Sequence, residues 1–257
     1  MNYSRPWMFC GLALMVAGAV LLWRQGNFSA GQLAAEQVAE DAPKDRETDR
    51  AESRQKESPP TAWKKLFDGK TLKGWKTPQF GGEGKVHVRD GAIVMEMGGM
   101  MTGITWTGKP PRNNYELALE GIRLDGSDFF CTTTFPVGDE HCSLVVGGWG
   151  GILVGLSNVD RFDASENQTT TTFDFEEKKW YRVRVRVTDA AIEAWIDDNR
   201  VVNQPRKGHT FGIRDEVDLC RPLGICTWCT KGAVRNIRLR ELRRVGQAKR
   251  SPTSGGE

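Results

Sequence analysis

The sequence predicts an all-β domain, a sandwich or jelly roll of two antiparallel sheets. The stretch Tyr181–Asp189 alternates strictly between apolar and charged residues, which is the period of a half-buried strand. Short runs rich in Val, Ile, Thr and aromatic residues recur along the chain, separated by turn residues about every ten positions. Residues 61–242 contain no long stretch with a helical period, so the domain is expected to be built from strands alone.

The N-terminal residues 1–25 have the pattern of a signal peptide or an uncleaved membrane anchor, which predicts a hydrophobic helix there. Arg5 precedes an uncharged apolar run from Trp7 to Trp23, at the short end of what spans a bilayer. Ala17-Gly18-Ala19 offers a cleavage site inside this run, so both interpretations stay open. Either one predicts an extracytoplasmic domain: membrane-anchored if the segment is kept, and secreted or periplasmic if it is cleaved.

Residues 26–60 and 243–257 have the composition of flexible segments. The first is polar, mixed in charge and nearly free of aromatic residues, and it ends in Ser58-Pro59-Pro60. Such a composition buries too little apolar surface to offset the entropy lost on ordering. We therefore expect a linker at 26–60, a globular domain at 61–242 and a flexible tail at 243–257.

The strands of the first half of the domain follow from alternation and turn chemistry. Val86–Met97 reads as a hairpin turning at Asp90-Gly91. Further strands are expected at Tyr115–Leu124, Phe129–Phe135 and Cys142–Trp149. A five-residue loop at Pro136–Glu140 would pair Cys142 with Thr134.

The second half of the domain continues the same pattern. Strands are expected at Thr169–Phe175, Tyr181–Asp189 and Ala233–Leu242. Asp197-Asp198-Asn199 is expected to turn a hairpin between Trp195-Ile196 and Val201-Val202.

The composition excludes some classes of function. The 257-residue chain carries a net charge of only +3 and has no recognition motif for nucleic acid, so a nucleic-acid partner is not expected. Its 9 tryptophans against 3 tyrosines, with 29 glycines, favour a β-rich domain with an aromatic-lined surface. No nucleotide-binding loop, nucleophile elbow or zinc-protease motif is present.

Four segments together resemble the 3-keto-disaccharide hydrolase domain family. They are "LFDGKTLKGW" (66–75), "VRDGAIV" (88–94), "KKWYRVRVRV" (178–187) and "VRNIRLREL" (234–242). The resemblance covers nearly all of residues 61–242. It implies a concanavalin A-like (laminin-G-like) jelly roll with one concave sheet. It also implies an activity on 3-keto-glycosides, as a hydrolase or as a lyase or hydratase.

The active site of that family is not carried over. Typical members have an "NSG" plus arginine segment and then "GYE-x-Q", whereas residues 126–151 read "GSDFFCTTTFPVGDEHCSLVVGGWGG". The candidate catalytic residues are therefore Glu140 or Asp128 as a base, and His141 as an acid or metal ligand. The alternative for "GDEH" is a solvated hairpin turn.

Three residues are candidates for substrate binding. Trp149, set among glycines, is either a stacking platform for a sugar ring or a core residue at a sheet corner. Trp228 has the same ambiguity. Arg184, in the row Arg182–Arg186, belongs either to an exposed convex face or to a concave face that binds anions or hydroxyls.

No metal-ligand set is assigned, and a divalent metal ion is the open alternative among cofactors. Cys226 and Cys229 form an isolated CxxC whose side chains point to opposite faces of a strand. Disulfide pairing among the five cysteines of the domain stays open.

The leading hypothesis is a carbohydrate-active enzyme that cleaves 3-keto-glycosides on its concave sheet. The alternatives are a non-catalytic carbohydrate-binding module and a structural jelly-roll domain at the cell surface. The expected partners are a glycan and, if the N-terminal segment is uncleaved, a membrane.

Overall fold

The computed structural model describes residues 61–242. The predicted N-terminal helix, the linker and the C-terminal tail lie outside the described residues. Between 61 and 242, no helix is long and apolar enough to cross a membrane.

One sheet has eight strands and includes both ends of the described chain. Seven of them lie in the order β13-β12-β11-β6-β15-β4-β3, and the short β1 pairs with β15. Neighbouring strands of this sheet pair antiparallel. The strands are β1 (Lys64–Lys65), β3 (Val86–Arg89), β4 (Ala92–Met95), β6 (Tyr115–Gly126), β11 (Trp180–Val187), β12 (Ala191–Ile196), β13 (Asn199–Pro205) and β15 (Thr230–Glu241).

The second sheet has seven antiparallel strands in the order β10-β9-β8-β7-β14-β5-β2. A six-residue 3-10 helix at Asp215–Cys220 packs against β14 and β5 of this sheet. The strands are β2 (Trp75–Lys76), β5 (Met101–Trp106), β7 (Thr132–Val137), β8 (Glu140–Gly148), β9 (Leu153–Ser157), β10 (Thr171–Thr172) and β14 (Gly224–Trp228). The predicted all-β architecture of two antiparallel sheets is confirmed.

The core lies between the two sheets and follows the alternation of the sequence. In β11, Tyr181, Val183, Val185 and Val187 are all buried, while the arginines between them face outward. The inner face of β7 and β8 adds Phe135 and Leu144 to the same cluster. Burial of this one continuous apolar layer is what holds the sheets together.

A bulge in β15 keeps its arginines on the outer face. Arg235 pairs with Glu120 and Arg238 with Ala118, so three steps along β15 match two steps along β6. The extra residue is Asn236, which has φ +53°. Val234 and Ile237 consequently both point into the core.

The segment 66–75 has a structural role at the start of the domain. Asp68 accepts hydrogen bonds from the backbone of Lys70 and Thr71 and closes the turn. Trp75 is buried and its Nε1–H donates to the carbonyl of Leu66 at 2.9 Å. Gly74 has φ +84°, and a Cβ there would lie 2.4 Å from the Trp106 ring. The motif therefore needs glycine at this position.

The turn between β7 and β8 is tighter than predicted. Val137 pairs with Glu140, leaving two turn residues, and Cys142 pairs with Phe135 instead of Thr134. Gly138, with φ +68°, permits this short hairpin. The expected five-residue loop at Pro136–Glu140 was wrong, whereas the expected Asp90-Gly91 hairpin is confirmed by the Arg89–Ala92 pair.

Candidate functional site

A cavity of about 670 Å³ opens at the end of the sandwich where β7 turns into β8. The β11–β12 turn, the loop after β9 and the segment after β13 complete its walls. It is lined by Val137, Glu140, Arg161, Asp189, Arg206, Lys207, His209, Thr210 and Phe211. The cavity thus combines an imidazole, carboxylates and several cations.

An Asp–His pair occupies one wall of this cavity. His209 Nδ1 lies 2.6 Å from Asp160 Oδ2, and Asp160 Oδ1 accepts the Thr210 backbone N–H at 2.8 Å. The Thr210 N–H, with His209, holds the pKa of Asp160 below its ordinary value. An ionised Asp160 fixes the proton on Nδ1, so Nε2 is left as the basic nitrogen.

Backbone pairing brings these two residues together across 49 positions of sequence. Val159 forms bridges to both Phe162 and Phe211, and its side chain is fully buried. The Asp160 N–H also donates to the Thr210 carbonyl at 2.9 Å. The pair is therefore held on a fixed framework.

Three cations surround the Asp–His pair without carboxylate partners in the described chain. Arg206 Nη1 donates to Asn113 Oδ1 and to the Thr188 carbonyl, both at 2.6 Å, which fixes its guanidinium. Arg161 and Lys207 form no ion pair within residues 61–242. A negative charge that develops in this cavity would be stabilised by all three.

Glu140 and His141 point away from each other. They are successive residues at the start of β8, and successive side chains of a strand face opposite sides. Glu140 lines the cavity, whereas His141 is oriented toward the side of Arg221. Burial, followed by the charge of Arg221, lowers the pKa of His141.

Asp128 lies at the opposite end of the sandwich from Glu140. Its Oδ1 accepts the Phe129 N–H at 2.7 Å, and its Oδ2 faces Gly150, just after β8 ends. The length of β8 separates this end from Glu140 by roughly 25 Å. Asp128 and Glu140 therefore cannot act on one reacting atom. Burial raises the pKa of Asp128.

Trp149 and Trp228 lie at the Asp128 end. Trp149 is 45% exposed, in a turn with φ +48°, so it is not a core residue. Trp228 is half-buried. Its backbone N–H donates to the Phe129 carbonyl at 3.0 Å, and the centre of its ring lies 6.2 Å from that of the Phe129 ring. We call the group Asp128, Phe129, Trp149 and Trp228 the tryptophan end.

Arg184 is on neither end. It lies on the outer face of the eight-stranded sheet, where its Nη1 donates to Glu116 Oε1 at 2.8 Å and its guanidinium stacks 3.7 Å from the centre of the Trp195 ring. Its row partner Arg186 donates to the same Glu116 oxygen at 2.9 Å. The row is a network of ion pairs on a partly exposed face.

The outer face of the seven-stranded sheet is covered by the protein's own chain. Its outward positions on β7 and β8 include Thr134 and Ser143, which are buried and hydrogen-bond each other at 2.8 Å. The 3-10 helix packs Val217 and Cys220 onto Cys226 of β14. No carboxylate stands among the outward residues Thr132, Thr134, Ser143 and Val145.

The cysteines and metal ligands of the described chain are dispersed. Cys131, Cys142, Cys220 and Cys226 are buried free thiols. Between 61 and 242, no three His, Cys, Asp or Glu side chains converge as a metal site.

Sequence reasoning missed the pairing of His209 with Asp160. The only local signal was the scarcity of histidine, with 3 in the chain. Residues so far apart in sequence are brought together only by the loop bridges, which no local pattern encodes.

Comparison with known proteins gives a family. The family model described as the 3-keto-alpha-glucoside-1,2-lyase-like domain matches residues 62–240. No curated protein sequence matches the chain.

Among solved structures, the fold is shared with a Bacillus subtilis protein of unknown function with a galectin-like fold. That match has a TM-score of 0.51 and 10% identity, and covers 74% of this chain and 99% of the other. Domain 4 of AbnA, a GH43 extracellular arabinanase from Geobacillus stearothermophilus in complex with arabinotriose, matches with a TM-score of 0.47, 15% identity and coverage of 72% and 94%. The carbohydrate-binding module CBM66 from Bacillus subtilis matches with a TM-score of 0.41, 12% identity and coverage of 64% and 93%.

Proposed function

The chain belongs to the 3-keto-alpha-glucoside-1,2-lyase-like domain family, and from this membership we propose that it cleaves 3-keto-glycosides in the cavity that contains His209. The observation that carries the proposal is the Asp160–His209 pair beside three cations. Such a pair supplies a general base, and the cations suit an anionic intermediate. The proposal includes an extracytoplasmic location, which the N-terminal sequence supports.

The chemistry follows from the 3-keto group of the substrate. The ketone acidifies the proton on C2, and His209 Nε2 accepts that proton while the electron pair moves onto the ketone oxygen. The resulting enolate is stabilised by Arg161, Arg206 and Lys207. When the enolate collapses, a double bond forms between C1 and C2 and the bond from C1 to the glycosidic oxygen breaks. The leaving oxygen takes the proton back from the His209 imidazolium.

Asp160 and Glu140 have supporting roles in this scheme. Asp160 keeps His209 in the tautomer with a free Nε2 and stabilises the imidazolium. Glu140, which also lines the cavity, is placed to accept hydrogen bonds from substrate hydroxyls. His141, which points to the other face, has no role here.

The test is turnover of a nitrophenyl 3-keto-α-glucoside with and without added divalent metal and chelator. We expect His209→Gln to lower kcat by about 10²–10⁴-fold, the usual contribution of a general base. His141→Gln is the matched control, since it removes a neighbouring imidazole that faces away from the cavity. If turnover survives in His209→Gln but is lost in His141→Gln, then His141 and not His209 is the base. No turnover by the unaltered protein under any metal condition would end the enzyme proposal.

A second function is favoured by a separate observation, the exposed Trp149. Arg123, itself buried, donates to the carbonyls of Gly151 at 3.2 Å and Phe175 at 3.1 Å and so braces the turn that presents the indole. A fixed, exposed aromatic ring is suited to stacking on a sugar. We propose that the tryptophan end binds a neutral glycan, with or without catalysis at the other end.

A further inference from the structure

Three strands of the eight-stranded sheet arrange their outward residues in three rungs. β6 lies between β11 and β15, and its outward residues Glu116, Ala118 and Glu120 are each flanked by one arginine on either side. From one end of the sheet to the other, the rungs are Arg182–Glu120–Arg235, Arg184–Ala118–Arg238 and Arg186–Glu116–Arg240.

The two outer rungs have a carboxylate at their centre. Glu116 is fully buried and accepts hydrogen bonds from Arg186 Nε at 2.9 Å and Arg240 Nε at 2.5 Å. Burial alone would raise the pKa of Glu116, but its arginine partners lower it. Glu120 accepts from Arg235 Nε and Asn236 Nδ2, both at 2.8 Å.

The middle rung has a methyl group where its neighbours have a carboxylate. Ala118 lies between Arg184 and Arg238, whose Cα atoms are two interstrand spacings, or about 10 Å, apart. A cavity of about 210 Å³ lies here, lined by Ala118, Arg184, Arg238 and Trp63 and also by Arg182 and three carboxylates. These carboxylates already have arginine partners: Asp197 and Asp198 pair with Arg182, and Glu120 pairs with Arg235. This face therefore has a gap at the position of a missing anion.

The arginines beside the gap have unused donors. Within residues 61–242, the Arg238 guanidinium donates no hydrogen bond; it lies 4.9 Å from the centre of the Trp63 ring, and its charge acts on Glu120. Arg184 uses one N–H on Glu116, a carboxylate that it shares with Arg186 and Arg240. A guanidinium has five N–H donors, so both groups can still bind an oxyanion.

The gap is also held in shape. Arg184 stacks on Trp195 and Arg238 on Trp63, so each guanidinium plane is restrained before any ligand arrives. Binding then loses less side-chain entropy than it would with free arginines. Asp197, Asp198 and Asn236 line the same cavity and offer acceptors for hydroxyl groups.

We propose that this gap binds the carboxylate of an acidic sugar residue in a glycan. The carboxylate takes the place that Glu116 and Glu120 occupy in the neighbouring rungs. The hydroxyls of the sugar face Asp197, Asp198 and Asn236, which distinguishes a sugar from a simple carboxylate. The site is on a different surface from the His209 cavity and does not depend on turnover there.

The first test is calorimetry of the intact protein with trigalacturonate, a neutral galactose trisaccharide and triglutamate. Trigalacturonate is expected to bind more tightly than the other two, and its affinity is expected to fall as salt rises. Equal binding of the neutral trisaccharide would overturn the charge argument. Equal binding of triglutamate, or no binding of trigalacturonate, would overturn the assignment to an acidic sugar.

Two variants locate the site. Arg238→Gln removes a guanidinium that makes no protein hydrogen bond in the described chain, so it is expected to weaken trigalacturonate binding by at least about tenfold while the fold is kept. Ala118→Glu supplies the missing carboxylate from within and is expected to abolish binding. Arg200→Gln, on β13, is the control, since Arg200 pairs with Glu193 outside the gap.

Undiminished binding in Arg238→Gln, or in a folded Ala118→Glu, would contradict the site. Circular dichroism establishes whether Ala118→Glu is folded, and if it is not, the Arg238→Gln result decides. Equal weakening by Arg200→Gln would show a general charge effect and would also contradict the proposal.

Discussion

Single carboxylates organise the loops and faces of this protein. Asp68 illustrates this at the start of the domain, where it accepts the N–H groups of Lys70 and Thr71 at 2.7 Å and the Thr71 hydroxyl at 2.7 Å. These bonds, the one from the Thr71 side chain foremost, lower the pKa of Asp68 to about 2. The turn that opens the fold thus depends on an ionised carboxylate.

We expect the contribution of Asp68 to stability to vanish in acid. Because its pKa is lowered on folding, the contribution is complete above the unfolded value of 3.8 and is lost as the pH falls toward about 2. The difference in urea midpoint between the unaltered protein and Asp68→Asn should therefore shrink between pH 4 and pH 2. Thr71→Val removes the leading hydrogen bond to Asp68. In that background, the effect of Asp68→Asn on the urea midpoint should be smaller at neutral pH. A midpoint difference that stays constant with pH would contradict this account.

At the scale of residues, the sequence predicts the chemistry of neighbours better than that of distant pairs. It identified Glu140 as a candidate, and Glu140 lines the cavity. It grouped His141 with Glu140, although strand geometry sends the two side chains to opposite faces. It gave no role to Asp160 or His209, because their contact depends on backbone bridges between separate loops.

At the scale of elements, the segment that crosses the outer face of the seven-stranded sheet is the least expected feature. The 3-10 helix at Asp215–Cys220 buries Val217 against Cys226, and the Leu219 carbonyl accepts the Thr105 hydroxyl at 2.8 Å. Gly224 beneath it leaves room for this cover, because a Cβ there would lie 2.6 Å from the Cys220 carbonyl oxygen. The segment is thus part of the packed structure.

We expect Val217→Asp to release this cover. A carboxylate buried at this position without a partner costs at least about 2 kcal/mol, which the segment avoids by detaching from the sheet. Trypsin should then cut after Arg214 faster than in the unaltered protein; Arg221 precedes Pro222 and is not a trypsin site. Leu219→Asp is the matched control, because that side chain is 47% exposed and should leave the cleavage rate unchanged. Equal rates in both variants would show that burial of Val217 does not hold the segment.

Long amphipathic strands were predictable, and short or wholly buried ones were not. β6, β11 and β15 alternate clearly and were found, whereas β5, β9 and β14 were missed. In β5 the first five residues are buried on both faces, so no alternation marks the strand. In β5 and β14, the 3-10 helix that packs on the outer face is itself what removes the signal.

At the scale of the whole molecule, the two ends of the sandwich carry different groups. The His209 cavity lies at one end and the tryptophan end at the other, with β6 and β8 running between them. Sites this far apart without shared partners are expected to act independently. The sequence predicted residues of both ends but assigned them to one concave sheet. The distance between them depends on which strands separate them in the folded sheets, and the sequence alone does not give that distance.

We expect Trp149→Ala to affect glycan binding but not turnover. Losing a stacked ring should weaken binding of a neutral glycan about threefold to tenfold on a glycan array or in titration. His209→Gln should lower turnover and leave that binding unchanged. A loss of turnover in Trp149→Ala comparable with that in His209→Gln would show instead that substrate contacts both ends.

The bulge at Asn236 also bears on how this surface tolerates mutation. Because β15 accommodates Asn236 as an extra residue, the residues on both sides of it keep the faces that they would have in a regular strand without it. Ile237 and Leu239 stay in the core while Arg238 and Arg240 join Arg235 outside. Deletion of the Asn236 codon is thus expected to leave the row of cations in place, whereas an insertion or deletion that the sheet does not absorb as a bulge would turn the row inward.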